Sequence, residues 1–226
     1  MTHSDSATGG TLAMIHTVAS LIPEFEALAR TYLPDWQRFN MLDESLLRLT
    51  IRDDDLSPQT MRRMTGLVWS AVDAGATAIV VTCSSLGPAV DAAQALCPVP
   101  LLRIDQGMAQ AAVAAGPRIG VLATLRTTLA PTSDLIERTA TQMGEPCDIT
   151  PALVDGAFVC LGHGDVDSHD RLVAEALLAL APQVDVIVLA QASMARALDS
   201  VKDRIGPHPV LTSPDAGFRY LQAKLA

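Results

Sequence analysis

ATAIVVTCSSLGPAVDAAQALCPVPLLRI, residues 76–104, and VDVIVLAQASMARALDSVKDRIGPHPVLTS, residues 184–213, are one pattern written twice. Each copy is a β-branched run, a short polar turn, an Ala-rich helical stretch, then Pro and a second apolar strand. Laid together, Thr82-Cys83-Ser84-Ser85 falls on Ala190-Gln191-Ala192-Ser193. The step from the turn to the following strand differs by one residue: 17 positions from Cys83 to Pro100, 18 from Gln191 to Pro209. A repeat of this length predicts two α/β halves related by a pseudo-dyad, with the two turns facing each other. One turn offers a thiol where the other offers an amide.

The alternation extends outward from both copies. In the first half, strands are expected at Leu12–Thr17, Arg38–Leu42, Ala78–Thr82 and Pro100–Ile104. Helices are expected at Ile22–Tyr32, from Ser57-Pro58 to about Ala74, and at Pro88–Leu96. Ser57 suits an N-cap and Pro58 the first helical position, while Gly75 is a natural stop. In the second half, strands are expected at Arg118–Thr124, Asp148–Val154, Val184–Ala190 and Val210–Ser213. Helices fall at Pro131–Met143, His169–Leu180, after Gln191 to about Val201, and over residues 215–226. Strand and helix alternate throughout, which predicts an α/β fold of two mostly parallel four-stranded sheets with helices on both faces. The expected division is a flexible leader at residues 1–10, an N-terminal half of 11–105 with 215–226, and a C-terminal half of 106–214.

Composition narrows the classes of partner. The chain has 226 residues, 49% of them hydrophobic, enough for a sizeable core. A net charge of -9 argues against a nucleic-acid partner, which needs clustered Lys and Arg. No apolar run is long enough to span a bilayer, and MTHSDSATGG lacks the parts of a signal peptide. The four cysteines show no metal-ligand spacing, so no metal site and a reducing, cytoplasmic setting are expected. Ala115-Gly116-Pro117-Arg118-Ile119-Gly120 precedes a strand instead of following one. It therefore fails the context of a dinucleotide-binding fingerprint, and no cofactor is expected.

Ligands of open α/β sheets bind beyond the carboxyl ends of the strands. Those ends carry His16, Thr17, Asp43, Glu44, Thr82, Cys83, Ser84, Ser85, Asp105, Thr124, Thr127, Thr128, Gln191, Ala192, Ser193 and Ser213, with only Arg103 and Arg126 as nearby cations. Small hydroxyls beside helix N-termini make a cradle for a carboxylate, so a small carboxylic acid is the expected ligand. Cys83 follows a strand and precedes a helix, a setting that lowers a thiol pKa and marks it as the catalytic candidate. Cys97, Cys147 and Cys160 lie in structural contexts. Glu44 and His16 are candidates for a second acid/base; as alternatives, Glu44 belongs to a helix cap with Asp43, and His16 bonds a carbonyl. His163 lies in the Leu161–Asp165 loop, which could close as a lid. Ser168-His169-Asp170 invites a triad reading, but neighbours at a helix start do not face one another, so capping is expected.

Thr82-Cys83-Ser84-Ser85, Leu189-Ala190-Gln191-Ala192-Ser193-Met194 and Gly120–Thr124 followed by Thr127 and Thr128 together resemble the aspartate/glutamate (Asp/Glu/hydantoin) racemase superfamily. The resemblance covers nearly all of the chain after the leader. It implies two pseudo-symmetric Rossmann-like halves with the active site between them, and chemistry without a cofactor. Racemases of this kind carry one cysteine per half: one thiolate removes the α-proton and the other thiol returns a proton on the opposite face. Cys83 matches the first cysteine, and Gln191 stands where the second would be. A Gln amide neither gives nor takes a proton at neutral pH. The resemblance therefore implies a single-cysteine isomerase or racemase-type enzyme acting at the α-carbon or double bond of a small carboxylic acid. Two alternatives stand beside it: a one-sided decarboxylase or lyase of the arylmalonate decarboxylase type, and a non-catalytic small-acid binding protein. Thr17, Thr82, Ser84, Ser85, Thr124, Thr127, Thr128, Gln191, Ala192 and Ser193 would hold the substrate. Related enzymes are often dimers or larger, so a homo-oligomer is a further expectation; no membrane partner is expected.

Overall fold

The computed structural model describes residues 9–226, so most of the leader assigned to residues 1–10 lies outside the described residues. The chain forms two compact units, one through Arg103 that also takes in Leu221–Ala226, the other Ile104–Tyr220. The second boundary falls inside the last helix.

The first unit runs β1 (Thr11–His16), α1 (Ile22–Tyr32), β2 (Gln37–Leu42), α2 (Glu44–Asp53), α3 (Pro58–Asp73), β3 (Ala78–Val81), α4 (Gly87–Gln94) and β4 (Leu101–Arg103). Its sheet has the order β2-β1-β3-β4, and every pairing is parallel. β1 and β3 are central and buried on both faces, which is why they read as unbroken apolar runs. β2 is an edge strand with no fully buried residue, exposed at Gln37, Asn40 and Leu42. Ala13 and Ile15 of β1 and Ile79 and Val81 of β3 share a core with Leu46 of α2, Met64 and Val68 of α3, and Val90 of α4. Ser57 caps α3 by accepting from the Thr60 N–H at 3.3 Å, and Gly75 ends it at φ 91°, a left-handed conformation natural to glycine.

The second unit runs α5 (Gln106–Ala115), β5 (Arg118–Ala123), α6 (Arg126–Met143), β6 (Asp148–Leu153), α7 (Ala157–Gly162), α8 (Val166–Leu180), β7 (Val186–Leu189), α9 (Ala195–Asp199), β8 (Val210–Thr212) and the start of α10 (Ser213–Leu225). Its sheet order, β6-β5-β7-β8, again all parallel, is that of the first unit. The strand alternation divides its core. Leu122 and Leu189 pack with Val173 and Leu177 of α8, while Val121 and Val188 pack with Met108 of α5 and Leu135 and Ile136 of α6.

Several elements differ from the sequence reading. Glu44–Asp53 is a helix, held by burial of Leu46 and Thr50 and capped by Asp43. Gln106–Ala115, which reads as a connection, is a helix whose Ala-rich face is buried. α6 starts five residues before Pro131, which sits inside it, because Leu125 in extended conformation already turns the chain into the helix. The loop that contains His163 begins with α7, whose last carbonyls accept from the His163 N–H. α9 is only five residues long, since the turn after Gln191 is 3-10, and it ends at Asp199, close to the expected Val201.

Candidate active site

In a 2-1-3-4 parallel sheet the crossover direction reverses between strands 1 and 3, and the crevice at that switch point is where ligands bind. In the first unit the residues leaving those two strands are His16-Thr17 from β1 and Thr82-Cys83 from β3. In the second unit they are Thr124 from β5 and Ala190-Gln191 from β7.

The two repeat turns have the same backbone. Cys83 lies at φ -122°, ψ 110° and Gln191 at φ -133°, ψ 136°. Each opens a three-residue 3-10 turn closed by one bond, Leu86 N–H to the Cys83 carbonyl at 3.1 Å and Met194 N–H to the Gln191 carbonyl at 3.1 Å. The strands also match in register, since Thr82 N–H donates to the Ile15 carbonyl as Ala190 N–H donates to the Leu122 carbonyl. Thr17 of the first unit is therefore the counterpart of Thr124 in the second.

Around Cys83, Thr17, Ser84 and Ser85 are all buried, and Cys83 itself is half-buried against the first unit's core. Beneath the turn, Arg103 at the end of β4 is 3% exposed and pairs with Asp91 of α4 at 2.9 Å. Its guanidinium lies against Gly87, where any side chain would overlap it. The other three cysteines are also thiols. Cys147 is held above its ordinary pKa by burial, then by the carboxylates of Glu137 and Asp148, which disfavours its thiolate.

Gln191 has a defined polarity. Its side-chain oxygen accepts from the Thr124 N–H at 2.6 Å and from the Thr124 hydroxyl at 2.9 Å. A backbone N–H can only donate, so the atom facing Thr124 must be Oε1. The amide NH2, with two donors, is the end left over. Ala192 and Ser193 follow in the 3-10 turn, half-buried. Thr128 is buried on the first turn of α6, and the Thr127 hydroxyl is buried there with no hydrogen-bond partner among the described residues.

The remaining candidates are accounted for by geometry. Asp43 caps α2: its carboxylate accepts from Ser45 N–H at 3.0 Å and from Arg63 at 2.6 Å. Glu44 is the first residue of α2, at the carboxyl end of β2. His16 is 1% exposed, and both its ring nitrogens are engaged, Nε2 with Asn40 at 2.8 Å and Nδ1 with the Thr82 hydroxyl at 2.9 Å. Asn40 and Glu26, its next neighbour in this string, escaped the sequence reading. In the Ser168-His169-Asp170 stretch, Asp165 caps α8 through the Ser168 N–H at 3.1 Å. His169 binds Asp170 at 2.6 Å, and Asp170 also takes Arg196 at 3.3 Å. Burial raises the Asp170 carboxyl, but the bonds from His169 and Arg196 outweigh it and hold it below the ordinary value.

Known proteins place this architecture. The family model of the Asp/Glu/hydantoin racemases matches residues 13–221. The structure is similar to that of glutamate racemase isoform RacE1 from Bacillus anthracis, with a TM-score of 0.72 at 16% identity, covering 96% of this chain and 81% of that one. Allantoin racemase from Klebsiella pneumoniae matches with a TM-score of 0.68 at 16% identity, covering 95% and 87%. Arylmalonate decarboxylase matches with 0.58 at 16% identity, covering 95% and 92%. At these identities the structural likeness carries the fold alone. No curated protein sequence matches the chain. With the family pattern running through both repeat turns and almost the whole length, the chain belongs to the Asp/Glu/hydantoin racemase family and is an enzyme of that superfamily.

Proposed function

We propose that this enzyme acts, without a cofactor, at the α-carbon or double bond of a small carboxylic acid, using one thiol. The observation that supports it most is the pairing of repeat positions: Cys83 at one switch-point turn and, on the same backbone at the other, an amide whose oxygen is already taken by Thr124. Family membership supports a racemase-type reaction, and an amide in place of a second thiol supports a one-sided one.

In this reading the Cys83 thiolate takes the α-proton and becomes a thiol. The electron pair of the broken C–H bond moves into the carboxylate, giving an enediolate. Ser84, Ser85 and Thr17 donate to that developing charge, with Thr82 behind Cys83. The Gln191 NH2 donates to a carboxylate or carbonyl oxygen and leaves protons alone. In the second unit, Thr124, Thr127, Thr128, Ala192 and Ser193 are the substrate-binding residues of this reading. The thiol exchanges its proton with solvent and then delivers one to the same face of the carbon, and the thiolate is restored. One sulfur addresses one face, so exchange with retention is expected more readily than inversion.

The experiment is incubation in heavy water with a panel of amino acids, hydantoins, hydroxy acids, maleate and 2-substituted malonates, followed by chiral separation. Deuterium at the α-carbon with the configuration kept supports the one-thiol reading. Fast inversion of both enantiomers would overturn it and require a second acid/base. A second reading has one observation in its favour. An amide at residue 191 suits a reaction that needs a single proton delivery, such as loss of carbon dioxide from a 2-substituted malonate followed by protonation from Cys83. Release of carbon dioxide with one product enantiomer would select it.

A further inference from the structure

A string of hydrogen bonds crosses the first unit's sheet from strand to strand and ends at the residue before Cys83. Glu26 on α1 accepts from the Asn40 amide at 2.8 Å and from Arg38 at 3.1 Å. Asn40 on β2 faces His16 on β1 at 2.8 Å. His16 faces the hydroxyl of Thr82, at the end of β3, at 2.9 Å. Thr82 is the residue before Cys83.

The donor directions follow from one end. Burial raises the Glu26 carboxyl, but the bonds from Asn40 and Arg38 and the charges of Arg38 and Arg30 outweigh it and hold it below the ordinary value. An ionised carboxylate only accepts, so Asn40 must present its NH2 to Glu26 and its oxygen to His16. That oxygen can only accept, so His16 Nε2 must carry a proton. In the neutral ring Nδ1 is then a bare lone pair, and the Thr82 hydroxyl donates to it. The ring is further fixed by Phe25, whose centroid lies 5.6 Å away. The Ile15 carbonyl, 3.2 Å from the same hydroxyl, keeps the Thr82 N–H at 3.0 Å in either case. An imidazolium would instead donate from Nδ1 and turn the hydroxyl proton to Ile15.

The repeat supplies an internal control. By strand register, His16, Thr82 and Asn40 correspond to Ala123, Ala190 and Pro151 in the second unit. None of those three has a side chain that can hydrogen-bond. The string accompanies the turn with a thiol and is absent from the turn with an amide.

We infer that Glu26 and Asn40 lock His16 as its Nε2–H tautomer, and that His16 serves Cys83 as a positioning residue through Thr82, not as an acid or base. The inference rests on the role proposed for Cys83, but its first half does not. The charged group acting on the ring is Glu26, with Arg30 and Arg38 on it. Asp43, whose N–H bonds the His16 carbonyl, turns its carboxylate to Ser45 and Arg63.

The test uses the full chain labelled with 15N-histidine, with the His16 signals assigned by H16Q. Two-bond nitrogen–proton correlations at neutral pH should show a protonated Nε2 and a bare Nδ1. An Nδ1–H tautomer or an imidazolium overturns the assignment. N40L should mix the tautomers. The second arm follows iodoacetamide alkylation of Cys83 against pH, with Cys97, Cys147 and Cys160 replaced by Ala. Both N40L and T82V should move the profile, changing the rate at a fixed pH by about three- to tenfold, the size of one hydrogen bond. Since T82V is nearly isosteric, its melt checks folding. Profiles that coincide with wild type for both variants refute the positioning role. Neither arm needs a substrate, so failure of the proposed reaction would show separately.

Discussion

Gly87→Ala pits two effects of opposite sign against each other at the start of α4. Gly87 has helical dihedrals, φ -49°, ψ -49°, so helix propensity alone favours Ala by up to about 1 kcal/mol. Against this, the new methyl would overlap the Arg103 guanidinium and lie 2.6 Å from its Nη1. The end of an Arg side chain usually moves aside cheaply. Here its side chain is 2% exposed and tied to Asp91, so moving it strains the packing and weakens a mostly buried ion pair. Overpacking costs about 1–3 kcal/mol, and loss of a buried partner about 3–5 kcal/mol, reduced here because Asp91 is partly exposed. We expect a net loss of about 2–3 kcal/mol, or about 5–10 °C in Tm for a chain of this length. Thermal and guanidinium melts measure it. The double variant G87A/R103M should recover the overpacking part of the loss but not the part due to the lost Asp91 ion pair, because Met fills the space without a charge. Cys83 stands four residues before Gly87, so G87A should also change its alkylation rate. A G87A protein as stable as wild type, or more so, refutes the reasoning: Arg103 would then not be fixed beneath the turn.

Three further outcomes are expected. Gln191→Glu keeps an oxygen for Thr124 but replaces the donor NH2 by a charge that repels a carboxylate; KM for the acid should rise about tenfold or more, and an unchanged KM would remove Gln191 from the substrate. Asp43→Ala should cost about 1 kcal/mol through loss of the α2 cap, while Glu44→Gln leaves deuterium exchange intact; loss of exchange in Glu44→Gln would make Glu44 the second acid/base. His16 is held below 6.5 chiefly by burial, with the Asn40 bond and Glu26 opposing. The unfolded chain therefore takes up the proton first, so stability should fall as pH drops from 6.5 toward the folded value and level off below it. Melts from about pH 8 to about pH 5 should show a steeper loss in wild type than in H16Q, and parallel curves would contradict the assignment.

Much of the fold was legible because buried parallel strands are apolar without interruption. β3 and β7 announce themselves as AIVV and VIVL, and the repeat fixes their turns as equivalents. The exchange of Cys83 for Gln191 is visible from alignment of the copies alone. Of the helices left out of the strand-and-helix alternation, α5 is Ala-rich with no clear period, whereas α2 is amphipathic behind its Asp43 cap and enters only as the alternative for Glu44. Pro131 reads as a helix start, yet helix α6 already begins at Arg126. The Glu26–Asn40–His16–Thr82 string was out of reach for another reason. Its members are 10 to 66 positions apart and meet only through the β1–β2 and β1–β3 register. His16 was picked out as a strand-end residue, but nothing in the sequence says that both its nitrogens are used. The polarity of Gln191 likewise depends on a contact with Thr124 across 67 positions.

The central claim is that the Cys83 sulfur carries the proton. The direct measurement is deuterium wash-in at the α-carbon of the panel acids by proton NMR, wild type against Cys83→Ala, with both melts recorded. The account predicts exchange in wild type and a fall of about 10²–10⁴-fold in the variant at unchanged stability. Equal exchange by a well-folded Cys83→Ala protein would contradict it.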